Sequence, residues 1–375
     1  MNDQEKRARE LHFESIVVDA HADTIGRVVD GGEDLTRRTR GHIDVPKMRA
    51  GGLDAQFFAF WIEPKHVERG MSLRRTLDMM DALRSVEARS KGRFVVATTA
   101  DAVRRAASRR VPAGVPCIEG GHAIENDLAV VREFGRLGIR YMTLTWNNST
   151  DWADAAAEKP RHNGLTRFGR DVVREMNRAG IMVDLSHVHE KTFWAAIGTT
   201  RKPVIVSHSC ARALCNHRRN LWDPQLKAVA KNAGVVCINY YSCFISQPFK
   251  ERTDAMWDER DAEERGIRRR VKDRAKLEPA LKRIHDRYER IEHGLPRPAF
   301  GVLLDHIDHV ARVAGVDHVG LGSDFDGVAS LPREIDDCSM LPRVTRGLLE
   351  RGHSAAAVKK ILGGNVLRVM EYNEG

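Results

Sequence analysis

Eight short apolar runs, each six to eight residues long, constrain the fold of this chain more than any other feature. The runs are SIVVDA (15–20), AQFFAFWI (55–62), VPCIEG (115–120), RYMTLTW (140–146), IMVDLS (181–186), PVIVSH (203–208), VVCINYY (235–241) and HVGLGS (318–323). Their β-branched and aromatic content predicts strands. Between the runs, apolar residues recur near the helical period, as in 165–178. This alternation predicts βα units around a parallel sheet.

Eight strands that alternate with helices suit a (β/α)8 barrel of the TIM type better than an open, doubly wound sheet. A ninth run, FVVATT (94–99), predicts an extra strand. With 375 residues and 42% hydrophobic content, the chain is long enough to bury the core of one large domain spanning 1–375.

Ionisable side chains follow five of the predicted strands. His21 and Asp23 in VVDAHAD stand at alternate positions, so both can reach one metal ion. The later runs end in Glu119, His187, His208 and Asp324. A lone histidine at a strand end is ordinarily structural, but barrel enzymes build their active sites at the carboxyl ends of the strands. The joint pattern therefore predicts a metal-dependent active site.

Neutral imidazole and carboxylate are ligands that suit zinc, and six such groups exceed what one catalytic zinc commonly binds. Two metals about 3.5 to 4 Å apart that share a carboxylate fit better. Such a pair can hold a hydroxide, lower its pKa and polarise a scissile carbonyl. We expect zinc, although the same ligands would accept manganese or cobalt.

The motifs together resemble those of the membrane dipeptidase (renal dipeptidase) family, peptidase family M19. The resemblance covers most of residues 16–328 through VVDAHADT, IEGGHAIENDLAVVREFGRLGIRYMTLTW, NGLTRFGRDVVREMNRAGIMVDLSHV, PVIVSHSCARALCNHRRN and VGLGSDFDGV. It implies a distorted (β/α)8 barrel, a binuclear zinc site, hydrolysis of dipeptides through a metal-bridging hydroxide, and a homodimer.

The resemblance also implies a role for each site residue. His21 and Asp23 would bind one zinc, Glu119 would bridge both, and His187 and His208 would bind the second. Asp324 would be the acid/base that takes a proton from the water and delivers it to the leaving amine. Arg219 in HRRN would bind the carboxylate of the substrate, with Arg218 beside it as the other candidate in the segment.

One position departs from the family pattern, because LTW places Trp146 where well-studied members have a histidine that helps to bind the substrate. An indole N–H donates one hydrogen bond but cannot act as an imidazolium. Asn147, Asn148 or Tyr241 could supply a substitute donor, or Trp146 could form an apolar wall for a bulkier substrate.

A segment of dense mixed charge, 249–297, interrupts the rhythm before the last strand. We interpret it as a solvated helical insertion without chemistry, with an oligomer contact or a lid over the site as alternatives.

The bulk properties exclude several classes of protein. The net charge is +9, but Lys and Arg are interspersed with 52 acidic residues, so we expect no nucleic-acid partner. The six cysteines form no CxxC pair, and small buried thiols explain them. Neither a signal peptide nor a membrane span is recognisable, so we expect a cytoplasmic protein without a membrane partner.

Two other functions stay open from the sequence. The same barrel and metals could hydrolyse another small amide, such as an N-acyl amino acid or a β-lactam-like compound, because loops select the substrate. A non-catalytic binding protein that uses 249–297 as its contact surface is the second, although the presence of Asp324 argues against it.

Overall fold

A closed barrel of eight parallel strands forms the centre of the computed structural model, which describes residues 3–374. The nine strands are β1 Val18–Ala22, β2 Ala55–Trp61, β3 Val95–Val96, β4 Ala113–Glu119, β5 Tyr141–Thr143, β6 Met182–Asp184, β7 Ile205–Ser209, β8 Val235–Ile238 and β9 Val319–Leu321. Each overlaps one of the nine predicted runs. The predicted TIM-type α/β barrel is therefore confirmed.

The strand order is β2-β1-β9-β8-β7-β6-β5-β4, and the ring closes where β2 pairs with β4. That pairing is the longest in the sheet, running in register from Ala55 opposite Ala113 to Trp61 opposite Glu119. The short β3 pairs only with the first residues of β4, so it is the extra strand outside the ring.

Helices surround the barrel and connect its strands. They are α1 Asp3–Glu14, α2 Thr24–Gly31, α3 Val45–Ala50, α4 Pro64–Glu68, α5 Ser72–Ser90, α6 Ala100–Ser108, α7 Leu128–Leu137, α8 Arg167–Arg178, α9 Glu190–Ile197, α10 Asp223–Lys231, α11 Ser242–Ile245, α12 Gln247–Arg270, α13 Arg274–His293, α14 Phe300–Ala314, α15 Pro342–Glu350, α16 Ala355–Lys359 and α17 Asn365–Glu374. Short 3₁₀ turns lie at Gly121–Ile124, Val316–His318 and Cys338–Met340, and a π-helical turn, Lys360–Gly364, joins α16 to α17. None of the helices within residues 3–374 is both long and apolar enough to cross a bilayer.

Helix α8 shows how the sequence determines these elements. The Thr166 hydroxyl caps its first turn by accepting a hydrogen bond from the Gly169 N–H. Its predicted apolar face is buried against the barrel, with Val172, Val173 and Met176 fully inaccessible. The helix therefore begins at its cap and packs through the stripe that its spacing predicts.

Apolar side chains fill the barrel below the carboxyl ends of its strands. Phe57 and Tyr141 stack across it with their ring centroids 5.6 Å apart. Val366 and Met370 of α17 belong to the same buried cluster. The six cysteines are all buried and reduced, as the sequence predicts. Because polar groups are costly in such an interior, the polar residues collect at the ends of the strands.

His12 anchors the first helix to the rest of the molecule. Its Nε2 lies 2.7 Å from the Gly51 carbonyl, and its Nδ1 lies 2.7 Å from the Thr345 hydroxyl on α15. A neutral ring satisfies both partners by donating to the carbonyl and accepting from the hydroxyl. Burial lowers the pKa of His12 to about 4.

We expect His12 to make stability depend on pH. The unfolded chain binds this proton below about pH 6.5, whereas the folded chain binds it only near pH 4. The stabilisation is therefore complete above about pH 6.5 and is lost as the pH falls toward 4, with a span of about 3 kcal/mol. Urea denaturation at pH 7 and pH 5 should show a smaller pH effect for His12→Gln than for the wild type. His293→Gln, at a ring that is 55% exposed, should behave like the wild type; equal pH effects in all three proteins would contradict the prediction.

Candidate metal centre and substrate cavity

The ionisable residues predicted from five strands meet at the carboxyl end of the barrel. His21 lies in β1, Glu119 ends β4 and His208 lies in β7. His187 and Asp324 stand in the loops that follow β6 and β9. All five are at least nine-tenths buried. The structure thus brings together side chains that are up to 303 positions apart in the sequence, from His21 to Asp324.

The Glu119 carboxylate lies between two groups of ligand-type atoms. Its Oε2 is 3.7 Å from Nε2 of His21. Its Oε1 is 2.8 Å from Nε2 of His187 and 3.4 Å from Nε2 of His208. Because each oxygen faces different imidazoles, the carboxylate has the orientation of a group shared by two metal sites.

Two sets of side chains have donor atoms within 4.8 Å of one another. The first is His21, Glu119 and His208, and the second is His21, Asp23 and Asp324. In the second set, Oδ2 of Asp23 is 3.6 Å and Oδ1 of Asp324 is 3.9 Å from Nε2 of His21. The pairing of β1 with β2 shifts its register between Asp19 and Ala22, directly before Asp23.

Each of the three histidines is held through Nδ1, and its Nε2 faces the centre. Nδ1 of His21 lies 2.7 Å from the Tyr141 hydroxyl, which itself donates to the Ala20 carbonyl and so accepts from the ring. Nδ1 of His187 lies 3.1 Å from the side-chain oxygen of Asn147. These contacts select the tautomer with a proton on Nδ1 and a free lone pair on Nε2, which is the form that binds metals.

The third histidine is oriented by a buried network around Asp184. Nδ1 of His208 lies 2.8 Å from the Ser207 hydroxyl, which donates to the Asp184 carboxylate at 2.7 Å. Asp184 also accepts from Thr143 and from the backbone N–H groups of Ser186 and Ser207. The network fixes the ends of three neighbouring strands, β5, β6 and β7.

Sequence reasoning missed three of these supporting residues, Tyr141, Asp184 and Ser207, and it named Asn147 only as a candidate donor to the substrate. The signal for two of them is the polar residue inside an otherwise apolar run, as in IMVDLS and PVIVSH. Nothing in the sequence pairs Tyr141 with His21, because the two rings approach across the barrel from strands that are not adjacent.

The backbone is strained at two of the site residues. His187 has φ of 65° and Asp324 has φ of 63°, in the left-handed region that residues with a Cβ rarely adopt. Such conformations cost about 1 kcal/mol or more and cluster at functional sites. Gly327 is needed for space, since a Cβ there would collide with the carboxylates of Asp23 and Asp324.

The crowded carboxylates shift one another's protonation. Burial, reinforced by Glu119, raises the pKa of Asp23 to about 8. Burial also raises the pKa of Asp324. Burial opposes ionisation of Glu119 too, but the charge of His21 and a hydrogen bond from His187 outweigh it and lower the pKa of Glu119. The site therefore has more carboxylate than its surroundings neutralise, and divalent cations would supply the missing charge.

The histidines also fit a metal centre. Burial, and next Arg219, lower the pKa of His187 to about 3, and burial lowers the pKa of His208. Burial would do the same to His21, but Glu119 and Asp23 outweigh it and raise its pKa, so a proton competes with a cation for this ring. Nε2 of His21, Nε2 of His208 and Oδ1 of Asp23 are buried without a hydrogen-bond partner, and a metal would satisfy all three.

Arg219 and Arg218 differ sharply in burial. Arg219 is 8% exposed, whereas Arg218 faces solvent. The buried guanidinium makes one long hydrogen bond, 3.4 Å from Nη2 to the His208 carbonyl, and its Nε lacks a partner. Burial lowers the pKa of Arg219 to about 10, which leaves it charged. A buried, weakly bonded guanidinium of this kind could bind an anion.

Trp146 lies at the wall of the same cavity. Its ring centroid is 5.1 Å from that of Trp61 and 6.2 Å from that of His187. The register of β2 against β4 puts Trp61 beside Glu119, which is why this second tryptophan reaches the site. The two indoles form an aromatic wall of the cavity. The sequence analysis predicts Trp146 in this role but not Trp61.

Of the three candidate substitute donors, the Asn148 amide and the Tyr241 hydroxyl are already engaged, whereas Asn147 is engaged through its oxygen, which is an acceptor. The Asn147 side-chain oxygen bonds to His187, and the Asn148 amide nitrogen lies 3.2 Å from Nε2 of His122. The Tyr241 hydroxyl donates to the Glu292 carboxylate. Of the three side chains, Asn147 and Tyr241 line the cavity, but the hydroxyl proton of Tyr241 points to a protein acceptor.

The charged insertion covers the site. Helices α12 and α13 form an antiparallel hairpin, and six of its side chains line the cavity, namely Trp257, Arg260, His285, Tyr288, Glu289 and Glu292. The cavity has a volume of about 630 Å³. The predicted charged helical insertion is present, and most of its surface is exposed to solvent. The side that lines the cavity is what the lid alternative expects.

Glu292 attaches the hairpin to the barrel. Its carboxylate is only 5% exposed and accepts hydrogen bonds from the Tyr241 hydroxyl and the Trp257 indole. Burial raises the pKa of Glu292. Within the hairpin, Met256, Ile284 and Tyr288 form a small apolar cluster. These contacts hold the hairpin against the rim at the end of β8.

Comparisons with known proteins agree with this geometry. A family model described as membrane dipeptidase (peptidase family M19) matches residues 5–374. The fold is similar to a crystal structure of the probable dipeptidase PvdM from Pseudomonas aeruginosa, with 22% identity, 99% of this chain and 98% of that chain covered, and a TM-score of 0.86. That identity is low enough that the likeness concerns the fold alone.

Two further solved structures are each 26% identical to this chain. One is described as dipeptidase AC, a metallopeptidase of family M19, with a TM-score of 0.78. The other is a metallopeptidase from Rhodobacter sphaeroides liganded with a phosphinate mimic of the dipeptide L-Ala-D-Ala, with a TM-score of 0.76. Each match covers 96% of this chain and 99% of the other.

We expect Tyr241→Phe to loosen the hairpin, because it leaves the buried Glu292 carboxylate without its phenolic donor. The loss should cost about 1 to 3 kcal/mol of local stability. Limited trypsin digestion should then cut within 247–293 about tenfold faster or more than in the wild type, since local opening governs cleavage. Tyr372→Phe, at a residue that is 67% exposed, is the matched control. An unchanged cleavage rate in Tyr241→Phe would show that this hydrogen bond does not hold the hairpin.

Proposed function

Because the chain belongs to the membrane dipeptidase family, peptidase family M19, and is thus a metal-dependent dipeptidase, we propose that it binds two zinc ions and hydrolyses the peptide bond of dipeptides. The observation that carries this proposal is the position of Glu119, whose two oxygens face different histidines. The dipeptide mimic bound by the Rhodobacter sphaeroides metallopeptidase supports the same substrate class.

We assign the metal ligands as two sets that share one carboxylate. His21 and Asp23 would hold the first zinc, His187 and His208 would hold the second, and Glu119 would be shared between them. The partnerless Nε2 atoms of His21 and His208 support this assignment. Zinc bound there would supply Lewis acidity that polarises the scissile carbonyl and lowers the pKa of the attacking water.

Asp324 is the proposed acid/base. Its Oδ2 accepts a hydrogen bond from the Asn239 side chain at 2.8 Å, which fixes the carboxylate. Its Oδ1 faces the metal ligands, 3.9 Å from Nε2 of His21. From there Oδ1 can take the proton of the attacking water and deliver it to the leaving amine. Asp326 is differently occupied, since it accepts from Thr24 and from the His42 N–H, and so it supports the loop.

Arg219 binds the carboxylate of the C-terminal residue in this proposal. Its planar fork can make two parallel hydrogen bonds to a carboxylate. Its burial without a carboxylate partner supports this role, because an unpaired buried charge is unfavourable until the substrate arrives. Trp146 and Trp61 line the cavity near the ends of β5 and β2. In this proposal they pack against the substrate.

A second candidate is hydrolysis of a bulkier small amide, such as an N-acyl amino acid or a β-lactam-like compound. The cavity of about 630 Å³ and the Trp146 ring in place of the family histidine favour it. The two candidates share the metal centre and differ only in which substrate the cavity accepts. The homodimer and the cytoplasmic placement stay predictions.

Asp324→Asn should abolish most of the turnover and leave the metal content unchanged. The amide cannot accept the proton, so kcat/KM for the best L,L or L,D dipeptide should fall about 100-fold to 10,000-fold. Metal analysis of the same samples should still find about two zinc ions per chain. Asp78→Asn, on the exposed side of α5, is the matched control. Full activity in Asp324→Asn would remove this residue from the mechanism.

Arg219→Gln should reduce the preference for a free carboxylate. The wild type should hydrolyse a dipeptide far better than the same dipeptide with an amidated C-terminus, because only the carboxylate pairs with the guanidinium. A charge-assisted bidentate contact contributes about 1.5 to 3 kcal/mol, so the variant should lose about 10-fold to 100-fold in kcat/KM on the free dipeptide. If Arg219→Gln still distinguishes the two substrates as the wild type does, another residue binds the carboxylate.

A further inference from the structure

A second, smaller cavity adjoins the catalytic one. Its volume is about 180 Å³, and it shares His187, Arg218 and Arg219 with the larger cavity. Its other walls come from the loop after β6, the start of α9 and the segment from Arg212 to Gln225. The cavity therefore begins where the proposed site for the substrate carboxylate ends.

Three guanidinium groups line this small cavity. Arg219 is buried and has an unbonded Nε. Arg212 donates through Nε to the Asn216 side chain at 2.8 Å and lies over the Trp222 ring, 4.4 Å from its centroid. Arg218 forms no ion pair with any side chain that the structure describes. Glu190 is the one acidic residue among the lining side chains described, so the cavity is strongly cationic.

One carboxylate does not need three arginines. Arg219 suffices for the α-carboxylate of a dipeptide, since one guanidinium fork matches one carboxylate. Arg212 and Arg218 then lie beyond it, next to apolar walls formed by Leu185, Phe193 and Trp222. This arrangement suits a short aliphatic side chain that ends in a second negative charge.

We infer that the enzyme prefers dipeptides whose C-terminal residue is acidic, aspartate or glutamate, and that Arg212 and Arg218 are the specificity-determining residues. The inference rests on the proposed function, because it places the α-carboxylate on Arg219. The methylene groups of the side chain pack on the apolar walls, and its carboxylate pairs with the two outer guanidinium groups. Opposite charge at such a position raises affinity for the matched ligand and disfavours a cationic one.

The test compares two substrates of nearly equal shape, Ala-Glu and Ala-Gln, with the C-terminal residue in both L and D forms. We expect the zinc-loaded wild type to prefer Ala-Glu by about 10-fold or more in kcat/KM, which a hydrogen-bonded ion pair readily supplies. Arg212→Gln and Arg218→Gln should each reduce this ratio several-fold, and Arg218→Glu should bring Ala-Lys above Ala-Glu. Arg170→Gln, in a different part of the molecule, should leave the ratio as in the wild type.

A binding measurement gives a readout that does not depend on turnover. Titration calorimetry should find tighter binding of the product glutamate than of glutamine to the wild type, and the difference should shrink in Arg218→Gln. Arg212→Lys keeps the positive charge beside Trp222 and should therefore retain more of the preference for glutamate than Arg212→Gln does. This pair of variants separates loss of charge from loss of packing on the Trp222 ring.

The outcomes distinguish failure of the acidic preference from failure of the dipeptidase activity. Equal kcat/KM for Ala-Glu and Ala-Gln, with equal binding of glutamate and glutamine, would overturn the inference and leave the dipeptidase proposal intact. Failure to hydrolyse any dipeptide at full metal occupancy would contradict the proposed function itself. A preference for Ala-Glu that persists in both arginine variants would show that other residues read the acidic side chain.

Discussion

The pairing of β2 with β4 is the constraint on which the rest of the structure depends. It closes the ring over seven consecutive residue pairs and ends with Trp61 beside Glu119. Because both residues are the last of their strands, closure delivers a carboxylate and an aromatic wall to the same rim. The other strand ends then surround Glu119, so that three imidazoles approach its two oxygens. Without closure, β2 and β4 would lie at opposite sides of an open sheet, and the site would have no centre.

The histidines work as a set because each is held from behind. Tyr141, Asn147 and Ser207 occupy the three Nδ1 atoms, which leaves the three Nε2 atoms directed at Glu119. Preorganisation of this kind costs stability, since it buries polar groups and forces left-handed backbone at His187 and Asp324. The apolar barrel below and the helices around it supply the compensating burial. The centre is therefore a polar layer supported by a dry core.

Sequence reasoning predicts much of this arrangement for a physical reason. Fully buried parallel strands must be apolar, so the nine strands are visible as runs, and the polar residues that end them are conspicuous. The site residues from His21 to Asp324 follow from that contrast.

The position of the insertion is harder to predict, because dense charge is typical of a solvated surface. Only the structure shows that one side of the hairpin lines the cavity. Trp61 was missed as a site residue because its position depends on the register of β2 against β4. The difference between Arg218 and Arg219 is also invisible in HRRN, since it depends on which side chain the loop buries.

The hairpin leaves and rejoins the barrel within a short distance along the rim, between the end of β8 and the start of α14. Its own apolar cluster is separate from the main core, and Phe249, Trp257 and Glu292 connect it to the barrel. The part of the hairpin beyond these contacts can change in sequence without disturbing the strands or the predicted ligand residues. The barrel can therefore keep its strand ends in place while substitutions in the hairpin alter one wall of the cavity.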